Sequence, residues 1–146
     1  TEGGLDIITH RKSVRPAVKA LQQAGIVVSL FVDPDPRQVK AAKEKAGADY
    51  IEIHTGSFAE AKTPLRQKQE LGRIRRAAAL ASGLGLGVNA GHGLNYTNIK
   101  KLLGVPEIEE FSIGHSIVAR ALMVGMRQAV KDMVEVIQTP PGKAER

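Results

Sequence analysis

Apolar positions along the chain switch repeatedly between two periods. Val14, Val18 and Leu21 recur at i, i+4 and i+7, one face of a helix, and predict a helix over 10–24. Arg11, Lys12, Arg15 and Lys19 cover its other faces. Pro16 suits a first turn better than a helix interior, and Gly25 is a suitable stop. The run 26–32 is β-branched and almost continuously apolar, which predicts a strand buried on both faces, as in a parallel sheet. Asp33-Pro34-Asp35-Pro36 breaks it. Asp35 is placed to cap a helix with Pro36 at its first position; this helix runs to about residue 45, turns Val39 and Ala42 inward and ends at Gly47. The unit then repeats. A strand over 50–54 precedes a Thr55-Gly56-Ser57 loop and a helix over 64–82, with Leu65, Leu71, Ile74 and Ala78 spaced for burial. Gly83-Leu84-Gly85 connects to a strand over 86–90. A helical stretch over 95–103, a strand over 110–113 and one long helix over 116–137 follow. The polar residues 139–146 read as a tail, and 1–138 as one folded unit.

Strand–helix alternation of this kind predicts parallel βα units. Four such units suit either a small open sheet or half of a closed (β/α)8 barrel of roughly 250 residues. Glu52 and Asn89 decide between them. An open doubly wound sheet would bury Val or Ile at these positions, whereas barrel strands point alternate residues into the lumen. The expected fold class is therefore α/β, half of a (β/α)8 TIM barrel. Half a barrel leaves two unpaired sheet edges.

Composition narrows the function. The chain has 146 residues, 42% hydrophobic and 25% charged, an ordinary globular balance. Its longest apolar run is far too short to span a bilayer, and Thr1-Glu2-Gly3-Gly4 does not read as a signal peptide. The chain opens without methionine in a Gly-rich turn, as if entered midway. With no cysteine, thiolate metal sites and cysteine nucleophiles are excluded, and a reducing, cytoplasmic setting is expected. The net charge of +6 points to an anionic partner. Aromatics at 3% offer little stacking surface for nucleic acid, so a phosphorylated small molecule is the better candidate; a solvated basic surface is the plain alternative.

Three of the four histidines fall at one place in this pattern. His54 ends the second predicted strand, and His92 and His115 each follow a strand by two residues. All three lie at the C-terminal strand ends, where βα folds keep their active sites; His10 reads as a surface or cap residue. Histidine suits proton transfer near neutrality. Gly91, Gly93 and Gly114 allow close backbone approach, and the helix opening at Gly114-His115-Ser116 offers free N–H groups to a phosphate. Glu52 lies on the strand face of His54. A zinc or iron site on His54, His92 and His115 is the rival reading, though no His-x-His pair or HExxH helix supports it. No serine sits in a Gly-x-Ser-x-Gly context.

These motifs resemble the pyridoxine 5'-phosphate synthase family. The matching segments are Thr1-Glu2-Gly3-Gly4-Leu5-Asp6, Val28-Ser29-Leu30-Phe31-Val32-Asp33, Tyr50-Ile51-Glu52-Ile53-His54-Thr55-Gly56, Val88-Asn89-Ala90-Gly91-His92-Gly93-Leu94-Asn95-Tyr96 and Phe111-Ser112-Ile113-Gly114-His115-Ser116-Ile117. The resemblance implies that the predicted strands are strands five to eight of the barrel, preceded by the family's additional helix. It implies condensation of 3-amino-2-oxopropyl phosphate with 1-deoxy-D-xylulose 5-phosphate to pyridoxine 5'-phosphate, inorganic phosphate and water, without metal or organic cofactor. It also implies homo-oligomers, with neither nucleic acid nor membrane as partner. By resemblance His92 is a proton donor and Glu52 a carboxylate that stabilises the transition state. Gly93 contacts the amino-ketone substrate, and Gly114 with His115 binds phosphate. The family's other catalytic histidine, a second glutamate and several substrate-binding arginines and asparagines belong to strands one to four, which this sequence does not contain.

Overall fold

The computed structural model describes residues 3–139. Four strands, β1 (Ser29–Val32), β2 (Tyr50–His54), β3 (Gly87–Gly91) and β4 (Glu110–Ser112), form one parallel sheet in the order β1-β2-β3-β4. Each strand lies beside its predecessor and the order never reverses. A doubly wound sheet reverses at its switch point; a barrel wall does not. The helices are α1 (Ile7–Gln23), α2 (Pro36–Ala41), α3 (Gly56–Ala59), α4 (Pro64–Gly83), α5 (His115–Val124) and α6 (Met126–Gln138), with a π turn over Ala42–Ala46 and a 3₁₀ turn over Asn98–Lys101.

Register sorts the sheet into two faces. Leu30, Ile51 and Val88 stand in one row, and Val32, Ile53, Ala90 and Phe111 in the next. These rows pack into the core with Val39 of α2 and Ile74, Ala77 and Ala78 of α4. The alternate rows point away from it: Phe31, Glu52, Asn89 and Glu110, then His54, Gly91 and Ser112. That second face is the polar one expected of a barrel lumen.

Local chemistry explains most boundaries. Asp6 caps α1 by accepting from the Thr9 N–H at 3.2 Å, and Asp35 caps α2 with Pro36 directly after it. Thr63 does the same for α4 ahead of Pro64. Val39 and Ala42 are fully buried as expected, and Gly47 ends the turn at φ +77°.

Several expectations are corrected. His10 does not open α1; it sits inside the helix at a kink (φ −96°, ψ 15°), and Pro16 lies in the interior. The first strand is buried on one face only and begins at Ser29, because the side chain of Asp49, rather than a neighbouring strand, accepts the Val28 N–H at 2.8 Å. Ile26 and Val27 are exposed. Leu65 is also exposed, since it lies in the first turn of α4, beyond the sheet. The stretch 95–103 holds only the 3₁₀ turn. The long final helix is two helices broken at Gly125, whose φ +80° and ψ 152° are open essentially to glycine alone. Of the tail over 139–146, only Thr139 lies within the described residues.

Candidate active site

The candidate residues gather at the C-terminal strand ends. His54 is the last residue of β2 and is buried. Its Nδ1 stands 2.9 Å from Oδ1 of Asp33, the residue after β1. The same Asp33 oxygen accepts the Gly4 N–H at 3.0 Å. Residue 4 must be glycine here, because a Cβ would run into the Val32–Asp33 backbone.

His92 follows β3 directly. Among the described residues it is the one non-glycine with positive φ, at +81°. A bulky L-residue in this conformation carries roughly 1–2 kcal/mol of strain. Its neighbours hold it there. Thr55, fully buried, stands with its hydroxyl 2.7 Å from the Gly91 carbonyl and 2.6 Å from that of His92, and shares its one proton between them. Asn98 donates to the Gly93 carbonyl at 3.0 Å and accepts the Asn95 N–H at 2.8 Å. The His92 ring meets His54 in a T-shaped pair at 4.9 Å between centroids, and Phe31 packs edge-on against His54 at 5.1 Å.

Glu52 projects from the middle of β2 onto the polar face and accepts the Ser112 hydroxyl at 2.9 Å. Gly91 makes room for it, since a Cβ there would overlap Oε1 of Glu52. Beside it in register, Asn89 leaves its buried Oδ1 with no hydrogen-bond partner among the described residues.

A cleft of about 680 Å³ lies between the loops after β3 and β4, lined by His92, Gly93, Ser112, Gly114, His115 and Ser116 among others. Gly114 is the N-cap of α5 and contributes no side chain. The first turn of α5 thus lines the cleft through Gly114, His115 and Ser116, and a helix N-terminus is a place that favours an anion. The Ser116 hydroxyl donates to the Leu94 carbonyl at 2.8 Å and ties the two loops together.

The sequence-predicted residues divide into groups within this arrangement. His92, Gly93, Gly114 and His115 line one cleft. Glu52 stands one pleat deeper on the same sheet face, and His54 packs behind His92 with its ring largely enclosed. The metal reading needs His54, His92 and His115 on one point. Among the described residues no three His, Asp or Glu side chains converge in that way. Asp33, Thr55 and Asn98 are supporting residues that pattern reading missed. A signal was present for Asp33, which ends a strand beside two candidate histidine positions, but none for Thr55 or Asn98, whose partners are carbonyls supplied by the fold.

Known proteins match this sequence over most of its length. A family model described as pyridoxal phosphate biosynthesis protein PdxJ matches residues 1–139. The pyridoxine 5'-phosphate synthase of Pelobacter propionicus is 61% identical over 138 residues, covering 94% of this chain and 57% of that protein. Its counterpart in Geobacter sulfurreducens is 55% identical with the same coverage, and that of Trichlorobacter lovleyi 54% identical over 140 residues. The chain thus spans little more than half the length of these relatives. With a match that runs from Thr1 to Thr139 and a sheet that winds in barrel order, the chain belongs to the pyridoxal phosphate biosynthesis protein PdxJ family.

Proposed function

We propose that this chain forms the C-terminal half of a pyridoxine 5'-phosphate synthase, residues 1–138 of it making up that half. In this reading β1–β4 are strands five to eight of a (β/α)8 barrel and α1 is the additional helix before strand five. The observation that carries the reading is His92, a strained histidine at the mouth of a cleft that ends in the N-terminus of a helix. Strain of this kind persists where surrounding contacts over-determine it, and here they aim an imidazole into the cleft.

The reaction condenses 3-amino-2-oxopropyl phosphate with 1-deoxy-D-xylulose 5-phosphate through a Schiff base, then eliminates phosphate, adds water and closes the ring. Each step moves protons, a task for which an imidazole near neutrality is suited. His92 is the proton donor of this scheme. Glu52, held by Ser112, faces the lumen where cationic character develops on the condensing nitrogen and stabilises it. Gly93 lets the amino ketone approach the backbone. Gly114 and His115, with the first N–H groups of α5, grip a phosphate. The remaining catalytic and binding groups come from the other half of the barrel. Oligomerisation and a cytoplasmic location belong to the same proposal. The described residues include no helix long and apolar enough to cross a membrane.

Titrating inorganic phosphate into the isotope-labelled chain tests the binding half of this reading. The amide signals of Gly93, His115, Ser116 and Ile117 should shift together. Unmoved signals there at millimolar phosphate would remove the phosphate role. In a protein carrying the whole barrel, His92→Ala should cut phosphate release from the two substrates by about 100-fold or more. Turnover within a few fold would remove His92 from the chemistry.

A further inference from the structure

We propose that Asp33 and His54 form a positioning pair for His92. Asp33 locks His54 with its proton on Nδ1, and the locked ring is the wall that sets the orientation of the His92 imidazole.

The geometry carries this in three steps. First, one oxygen of Asp33 receives both the Gly4 N–H, at 3.0 Å, and the Nδ1 side of His54, at 2.9 Å. A backbone N–H can only donate and a carboxylate oxygen accepts, so the Asp33 oxygen is the acceptor and His54 Nδ1 carries a proton. Gly4 fixes the carboxylate in turn. Second, the other nitrogen of His54 is enclosed. Nε2 is buried with no hydrogen-bond partner among the described residues, and a methyl group on Gly56 would stand only 2.5 Å from it. A proton on Nε2 would point into this space with nothing to receive it. Both ends of the ring thus select the Nδ1–H form. Third, the space Gly56 leaves empty lets His54 touch His92. The same methyl would lie 3.1 Å from Cδ2 of His92, and the two rings meet edge to face at 4.9 Å. Phe31 packs edge-on against His54 as well, at 5.1 Å between centroids. With Nδ1 taken by Asp33 and Nε2 enclosed, His54 exerts its influence through the ring it supports.

That the supported imidazole moves protons rests on the reading above; that it is supported does not, and the experiment separates the two. Long-range ¹H–¹⁵N correlation of the labelled chain at pH 8 reads the tautomer of each imidazole without any variant. His54 should show a protonated Nδ1 and a bare Nε2. A proton on Nε2 overturns the proposal outright. Asp33→Ala should then mix the two His54 tautomers and move the ring signals of His92. Asp33→Asn keeps an acceptor oxygen for both donors and should restore the wild-type pattern. His92 signals that stay fixed in Asp33→Ala, or an Asp33→Asn variant that behaves like Asp33→Ala, would refute the positioning role. In a complete barrel, Asp33→Ala should lower kcat about 10-fold or more with KM within roughly twofold, and Asp33→Asn should recover most of it. If His92→Ala proves fully active while the imidazole signals respond as described, the catalytic reading fails and the positioning pair stands.

Discussion

Removing the hydroxyl of Thr55 tests how the site is held. Thr55→Val replaces the hydroxyl by a methyl of almost the same size, so packing is nearly conserved. Thr55 is fully buried and its hydroxyl contacts the Gly91 and His92 carbonyls. The Gly91 carbonyl keeps its other donor, the Thr55 N–H at 2.8 Å. The His92 carbonyl loses the Thr55 hydroxyl and faces a methyl instead. A lost hydrogen bond that leaves a polar group against an apolar one costs about 1–3 kcal/mol. The expected destabilisation sits near the middle, about 2 kcal/mol, because relaxation of the strained His92 backbone offsets part of the loss. For a chain of this size that is a fall in Tm of about 4–8 °C. Urea unfolding should show it as a lower midpoint at unchanged slope. Thr55→Ser keeps the hydroxyl and loses one methyl group, worth about 0.8 kcal/mol, so it should fall between wild type and Thr55→Val. A valine variant as stable as wild type, or more stable than the serine variant, would show that the hydroxyl does not hold the loop.

Three further outcomes follow from the same geometry. His92→Gly should be more stable than His92→Ala by about 1 kcal/mol, because both lose the ring but only glycine is at ease at φ +81°; chemical denaturation checks this, and the reverse order would mean that the turn relaxes. Gly91→Ala should leave Tm nearly unchanged yet displace the Glu52 carboxylate and break its bond with Ser112, since the end of a flexible side chain yields more readily than backbone. In a complete barrel a misplacement of about 1 Å is worth about 100-fold in turnover, and an unshifted Glu52 carboxyl signal in the labelled variant would refute it. Hydrogen bonds from the Thr9 side chain, the Gln38 side chain and the Thr9 N–H pull the Asp6 carboxyl down from 3.8 to about 2. A group depressed on folding contributes stability above its unfolded value and loses it as pH falls through the folded one. Wild type should therefore lose stability between about pH 4 and pH 2 in a part that Asp6→Asn does not; parallel curves for the two proteins would refute it.

The second, third and fourth strands, the start of α2 and the ends of α4 were legible because each rests on short-range chemistry. Asp35-Pro36 is a complete helix start in two residues, and Gly47 occupies a left-handed stop. Glu52 and Asn89 betrayed the open face because a polar residue at a strand position is costly unless the strand has a wet side. What escaped depends on distant partners. The run from Ile26 to Val28 has every local property of a strand, but the Ile26 N–H turns back to Leu21 of α1, and although the Val28 carbonyl accepts the Tyr50 N–H of β2, an Asp49 side chain takes the Val28 N–H. The one-turn helix α3 has no periodicity to display in four residues. The break at Gly125 carries a single glycine inside a helical pattern, and a lone glycine is also tolerated in unbroken helices. Of the residues that line the cleft, His92, Gly93, Gly114 and His115 stood out by their place at strand ends. Thr55 and Asn98 were not, because their work is to satisfy carbonyls whose positions only the assembled fold defines.

The break at Gly125 has a consequence for ligand affinity. It separates α5 from α6, and α5 contributes no buried residue of its own. Leu122 and Met123 are almost wholly exposed. Besides its packing on α6, polar ties hold the helix: Ser116 to Leu94, Arg120 to Asp132, and the Arg120 guanidinium 5.2 Å above the Tyr96 ring. The helix whose first turn lines the cleft is therefore one with little apolar anchorage, and such segments open at low free energy. A ligand that needs α5 in place binds only the fraction of molecules in which it is docked, and its apparent dissociation constant rises in inverse proportion to that fraction. Covering the exposed apolar face of α5 would raise affinity at a site it never touches.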